Sequence, residues 1–183
     1  MKEIKKWKII GTEYLIRRPW LTARRDHVRL PSGVENKEYY ILEYPEWVNV
    51  IAITKDGKFL MERQYRHGIQ DVRFEICAGV CETGEDPMIA AKRELLEETG
   101  YAGGEWRHFM SVCANAGSMT NWSHTFVAEG VEPVDVQNLE DTEDITIHLM
   151  TKQEVYDLLK GGHFAQALMV APLWRYFAEN GVE

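Results

Sequence analysis

Apolar and polar positions alternate with a period of two through much of the first half of the chain, which reads as β structure. Residues 7–17, 20–30 and 37–44 carry this pattern, separated by Arg18-Pro19 and by Leu30-Pro31-Ser32-Gly33, both turn signals. They predict a three-stranded antiparallel meander. WVNVIAITKDGKFLMERQYR follows as two β-rich runs around Asp56-Gly57, a dipeptide that supplies the positive φ of a two-residue hairpin turn. A short strand over 72–78 then leads into Gly79 and a polar loop through Glu85.

Past Glu85 the period becomes 3.6. Asp86 suits an N-cap, Pro87 the first helical position and Gly100 the left-handed position beyond the last turn, so this helix is bounded by its own sequence. Met88, Ala91, Leu95 and Leu96 gather on its predicted packing side, with Glu94, Glu97 and Glu98 opposite. Further strands are expected over 107–113, 122–128 and 144–150, with a long polar loop, 114–121, between the first two. Thr151 and Glu154 form a capping box opening a helix that runs to Lys160. A last helix, 164–179, is expected to kink or break at Pro172.

Composition narrows the class. A chain of 183 residues, 45% hydrophobic and 27% charged, suits one globular domain (46–183) carrying a modest appendage, the meander of 1–45. Net charge of −8 argues against a broad basic footprint for nucleic acid or an anionic membrane, and small, metal-bound partners fit better. No apolar run reaches transmembrane length, and the amino terminus lacks a signal-peptide core. Cys77, Cys81 and Cys113 are odd in number and lack zinc spacing, so they read as buried thiols. A cytoplasmic location is expected.

Glu94, Glu97 and Glu98 lie three and four residues apart, where each like-charge pair costs a helix about 0.2–0.5 kcal/mol. A clustered all-oxygen set with no accompanying His or Cys favours Mg²⁺ or Mn²⁺ over Zn²⁺ as the neutralising partner. The glutamates belong to the longer run GVCETGEDPMIAAKRELLEETGY, in which Gly79, Glu85, Arg93-Glu94-Leu95, Glu97-Glu98 and Gly100 stand at the spacing of the Nudix box. Leu95 aside, the seven fixed residues coincide by chance about once in 10⁸–10⁹ starting points. The run therefore carries a resemblance to the Nudix hydrolase family, departing from it only at Tyr101, where an aliphatic residue is usual.

That resemblance implies an α/β (α+β) Nudix fold, a mixed sheet between helices preceded by the meander, and metal-dependent hydrolysis of a phosphoanhydride. It carries Glu94, Glu97 and Glu98 over as metal ligands, with the backbone carbonyl of Ala78 and with Glu97 also a catalytic candidate. Arg93, one turn before Glu97, would orient it, and Glu85 would brace the loop or hold an outer metal. PWLTARRDHVRLPSG, YYILEYPEWVNVIAIT, DGKFLMERQYR and FEICAGV extend the likeness to the ADP-ribose and nucleoside-diphosphate-sugar pyrophosphatase branch. In that branch the amino-terminal sheet is exchanged across a homodimer. Trp20 or Trp47 is then a candidate for holding the base, Arg63 or Arg66 for the diphosphate or terminal ribose, and Glu75 for a ribose or metal-side contact. The two arginines point to opposite faces of a strand, so one acts directly.

Asn115, Ser118, Thr120, Asn121 and His124 are either sugar contacts or ordinary loop polarity. NLEDTEDI supplies Glu140, Asp141, Glu143 and Asp144; Glu143 best matches the family's general base, with Asp141 as rival. No proline lies between Gly100 and Val131, where the ADP-ribose branch commonly carries one, so the particular nucleotide sugar stays open. The alternatives are a pyrophosphohydrolase acting on dinucleotides or RNA 5′ ends, which for RNA would want a basic groove, and a noncatalytic nucleotide-sugar sensor, which has no need of three intact glutamates.

Overall fold

Three antiparallel strands open the chain in the computed structural model, which describes residues 3–182: β1 (Lys8–Arg18), β2 (Leu21–Arg29) and β3 (Glu35–Glu43), in that spatial order. Polar cross-strand pairs fix their register. Thr12 Oγ1 donates to Asp26 Oδ1 at 2.7 Å, and Arg24 Nε donates to the other oxygen at 3.2 Å. Trp7 meets Tyr39 edge-on at 5.8 Å, yet every residue of β1 is exposed. These strands form one compact unit that also takes in Cys113–Asn121, a stretch the sequence reading leaves as a polar loop of the second segment. The reason is hydrogen bonding: Leu42 N donates to Ser118 O at 2.7 Å, Thr120 N to Leu42 O at 3.2 Å, and Tyr39 Oη to Gly117 O at 2.7 Å.

The second unit holds β4 (Trp47–Thr54), β5 (Phe59–Arg66), β6 (Asp71–Glu75), β7 (Cys77–Val80), α1 (Pro87–Thr99), β8 (Tyr101–Val112), β9 (Ser123–Pro133), β10 (Ile145–Met150), α2 (Lys152–Lys160) and α3 (Ala167–Asn180). Its sheet runs β10-β5-β4-β9-β8, with β6 on β5 and β7 on β4. Only the β4–β9 pair is parallel, so the sheet is mixed. Alternation along β4 splits the core in two. Val48, Val50 and Ala52 pack with Ala90, Ala91 and Leu95 of α1. Ile51 and Ile53 pack with Val155 and Leu159 of α2 and with Met169, Leu173 and Phe177 of α3. Helices therefore cover both faces of a central strand with no exposed side.

Four local expectations change, each for a physical reason. The hairpin after β4 spans Lys55, Asp56 and Gly57, not two residues, because Thr54 N donates to Lys58 O at 2.8 Å around a Gly57 of φ 78°. The strand expected over 72–78 is two strands, since Glu62↔Glu75 pairs it to β5 and Val50↔Cys77 pairs its continuation to β4. β8 starts well before residue 107 because Gly103 and Gly104 are inside it; a Cβ on Gly104 would lie 2.6 Å from the Glu129 carbonyl, so only glycine permits that approach. Finally, α3 begins at Ala167 and runs unbroken through Pro172. Proline removes the donor for the Leu168 carbonyl, and Asn49 Nδ2 from β4 replaces it at 3.3 Å.

Candidate active site

The carboxylates of α1 divide by helical phase. At 100° per residue Glu98 falls about 60° from Leu95, inside the buried arc, while Leu96 falls outside it. Accordingly Glu98 is 3% exposed and Leu96 37%, which corrects the expectation that Leu96 packs and Glu98 stands opposite. Glu94 and Glu98 are drawn in towards the sheet and bonded by β7, Val80 N to Glu94 Oε1 and Ala78 N to Glu98 Oε2, both at 3.2 Å. Glu97 remains outward, its side chain 41% exposed. The close seat of Glu94 explains Gly79: a Cβ there would stand 2.0 Å from the Glu94 carboxyl carbon.

Arg93 ties this face together. Its Nη1 donates to Glu94 at 2.9 Å and to Glu97 at 3.1 Å, its Nη2 to the Val80 carbonyl at 3.0 Å, and Nε and Nη2 to the two oxygens of Glu85. The bond from Glu85 is the main reason the guanidinium is held more firmly protonated than usual, and the same contact lowers Glu85. Glu85 also accepts from Glu82 N at 2.9 Å, so it braces the loop before α1. Burial raises Glu94, and burial together with the Glu94 and Glu143 charges pushes Glu98 up to about 8.

Of the two arginines of β5, Arg66 faces this region. It lines a cavity of about 250 Å³ with Trp47, Asn49, Ala78, Gly79 and Val80 on one side and Gln166 and Leu168 on the other. Arg63 points to the other face and lies over the Phe74 ring at 5.7 Å. Glu75, buried at 2% exposure, accepts from Arg66 Nε at 2.9 Å and from Gln64 Nε2 at 3.3 Å. Its oxygens are thus engaged in holding Arg66. Trp20 sits at the turn between β1 and β2, 77% exposed.

The acidic loop after β9 is pinned to the end of α1. Gln137 Nε2 donates to the Glu98 carbonyl at 2.7 Å and to the Ile145 carbonyl at 3.3 Å, and Asn138 N donates to the Glu97 carbonyl at 2.8 Å. These bonds serve helix carbonyls that lack intrahelical donors. Glu143 closes a turn on Glu140, with its carboxylate accepting Glu140 N at 2.9 Å, and its charge reaches Glu98. Asp141 and Asp144 are exposed. Of the polar residues considered as sugar contacts, Asn115 caps the turn at Gly117, Asn121 bonds the Pro45 carbonyl, and His124 bonds Glu46 at 3.0 Å.

Sequence reasoning missed two residues at this site. Glu62 of β5 is fully buried, its two oxygens out of reach of any N–H or hydroxyl donor among the described residues, and Cys77 of β7 lies beside it and Glu98. Burial, then the charges of Glu98 and Glu75, holds Glu62 well above the carboxylate range, and burial likewise raises the Cys77 thiol. The signal was the alternation of β5, which puts Glu62 on the inward side with Leu60, but no motif marks it. Arg66 and Arg93 are the guanidinium groups that face Glu62, Glu75, Glu85, Glu94, Glu97 and Glu98. That excess of carboxyl groups over guanidinium groups is a donor set that fits divalent cations, whose charge would favour the ionised carboxylates.

Sheet, helices and carboxylate face together define a Nudix domain, and the NUDIX domain model matches residues 44–171, so the chain belongs to the Nudix family. The model described as "Nucleoside diphosphate sugar hydrolase N-terminal domain" matches residues 7–42. Among curated proteins the chain is similar to the methanol dehydrogenase activator of Bacillus methanolicus, 34% identical over 84% of this chain and 83% of that one. It is also similar to the ADP-ribose pyrophosphatase of Bacillus subtilis (strain 168), 31% identical over 82% and 86%. A crystal structure of an ADP compounds hydrolase shares the fold, with a TM-score of 0.85 at 21% identity over 100% of both chains. Nudix hydrolases generally use divalent metal ions.

Proposed function

We propose that this protein is a cytoplasmic pyrophosphatase that uses Mg²⁺, or Mn²⁺, to hydrolyse the diphosphate bond of ADP-ribose or a related nucleoside diphosphate sugar. The products are a nucleoside monophosphate and a sugar phosphate. The observation that carries this reading is the junction of cavity and carboxylates: Trp47 and Arg66 line a cleft whose wall, Ala78 to Val80, is the strand that bonds Glu94 and Glu98. The resemblance to a B. subtilis ADP-ribose pyrophosphatase over most of both chains supports the substrate class.

In this reading Glu94, Glu97, Glu98 and the Ala78 carbonyl hold the metal, which when bound neutralises the diphosphate and polarises phosphorus. Arg66, kept in place by Glu75, grips the diphosphate with the donors that Glu75 leaves. Trp47 offers a ring for the base, with Trp20 as the rival aromatic. Arg93 and Glu85 hold Glu94 and Glu97 in position. Glu143 takes the proton of the attacking water, and Asp141 is its weaker alternative.

The protein works as a homodimer through its meander, in which β1 leaves Ile9, Ile10, Tyr14, Leu15 and Ile16 exposed. Light scattering at micromolar concentration should give twice the chain mass; a monomer with full activity would remove the dimer from the proposal. Formation of nucleoside monophosphate from ADP-ribose, GDP-mannose, UDP-glucose, NADH and diadenosine polyphosphates, followed by chromatography with Mg²⁺ and with excess chelator, tests the reaction. Turnover of a nucleotide sugar that stops in chelator is the expected result. No turnover of any of the five, or turnover indifferent to chelator, would overturn it.

A further inference from the structure

Behind the carboxylate face lies a second set of donors, of which the proposed hydrolysis uses only Glu98. Glu62 from β5, Cys77 from β7 and Glu98 from α1 each present one ligand atom, and these atoms lie within 4.8 Å of one another. All three residues are buried, Glu62 and Cys77 at 0% exposure. Glu62 is the decisive member. Neither of its oxygens meets an N–H or hydroxyl donor among the described residues, and the carboxyl it faces is that of Glu98, whereas the neighbouring Glu75, Glu85, Glu94 and Glu98 all accept from such donors. Leaving a carboxylate buried and unbonded is costly, and such groups are held by a proton, a water or a cation.

We propose that Glu62, Cys77 and Glu98 form an inner metal site for a thiophilic divalent ion of the Zn²⁺ type, with Glu98 shared between it and the outer carboxylate face. The chemistry of the donors selects the ion. Two carboxylates alone would suit Mg²⁺, but a thiolate is a soft ligand that Mg²⁺ does not favour and that Zn²⁺ and Co²⁺ do. Donors within 4.8 Å of one another are close enough to draw in around one ion, whose bonds of about 2.0–2.3 Å set tetrahedral donors about 3.3–3.8 Å apart. Three donors from a strand, a second strand and a helix also give the site a frame that the fold already fixes.

Co²⁺ is the probe, because a thiolate bound to it gives a near-ultraviolet charge-transfer band that carboxylates do not. Chelator-stripped protein is titrated with Co²⁺ in saturating Mg²⁺, which occupies the all-oxygen face. The wild type should develop the band at one equivalent. Cys77→Ser should abolish it, Glu62→Gln should weaken Co²⁺ affinity about 10–100-fold, and Cys81→Ser and Cys113→Ser should leave it unchanged. Should the Cys77 or Glu62 variants fail to fold, X-ray absorption on the Zn²⁺-loaded wild type gives the same answer, with one sulfur neighbour at about 2.3 Å expected. No band and no sulfur neighbour would overturn the site, and so would a band that survives Cys77→Ser. Neither result bears on nucleoside monophosphate formation in Mg²⁺, so this inference and the proposed hydrolysis fail separately.

Discussion

Arg93 grips Glu85 with two donors, Nε at 3.0 Å and Nη2 at 2.9 Å, while its remaining nitrogen reaches Glu94 and Glu97. The loop before α1 and the carboxylates on α1 are therefore positioned by one planar group. Removing the charge at the far end should loosen the near end. Glu85→Gln is expected to weaken Mg²⁺ binding about 10–100-fold, as losses of groups that orient metal ligands do. Calorimetric metal titration of the variant checks this; an unchanged affinity would mean that Arg93 is held without Glu85.

Glu98 sets the pH behaviour of the metal-free protein. Its folded pKa is raised from 4.5 to about 8, so between these values the folded state holds a proton that the unfolded state has lost. Stability contributed by this group is complete below 4.5 and falls as pH rises through 8. Glu94 and Glu62 shift in the same direction and add to the slope. Thermal melts in chelator should therefore drop in midpoint from pH 5 to pH 8. Saturating Mg²⁺ should flatten that slope, and Glu98→Gln should reduce it in chelator.

The same substitution tests the proposed chemistry. Glu98→Gln should cut Mg²⁺-dependent hydrolysis by at least about 100-fold without lowering the metal-free melting midpoint at pH 8. Wild-type rates in this variant would take Glu98 out of the metal set.

Arg66 holds a buried partner. Arg66→Ala would strand Glu75, 2% exposed, next to Glu62, and should cost about 2 kcal/mol, less than a fully buried pair because the arginine itself is 40% exposed. The expected fall in midpoint is a few degrees, together with a rise in KM as the diphosphate loses its guanidinium. Steady-state kinetics and melts on Arg66→Ala and Arg66→Lys separate the two effects, since lysine restores charge but not the bidentate contact.

Glu143→Gln should lower kcat about 10²–10⁴-fold with little change in KM, and Asp141→Asn should do less. The half-buried position of Glu143 and the reach of its charge to Glu98 favour that ranking over the exposed Asp141. The reverse ranking at saturating metal would make Asp141 the base.

The features that the chain announced were local ones. Asp86, Pro87 and Gly100 bound α1 because capping is a matter of a few adjacent residues, and Asp86 does accept from Met88 N at 2.8 Å. The pairing of Arg93 with Glu97 follows from helix spacing in the same way. What stayed hidden depends on partners far along the chain. Nothing near Glu62 shows that Cys77 and Glu98 will meet it, nothing near Pro172 shows that Asn49 will serve its orphaned carbonyl, and nothing near Gln137 shows that it will tie the acidic loop to α1. Leu96 misled for a narrower reason: a leucine beside a leucine reads as core until the phase of the helix against the sheet is known.

The bond from Asn49 to Leu168 has a mechanical side. In an ordinary helix the Leu168 carbonyl would be answered by the fourth residue on, and the first turn of α3 could tilt as a self-contained spring. Because that residue is Pro172, the bond runs across to β4, whose neighbouring positions Trp47 and Val48 line the same cavity as Leu168 and Gln166. Opposite walls of the cleft are thereby joined by a strut. A ligand that pushes on α3 would therefore load the central strand of the sheet through an amide bond that proline left room for.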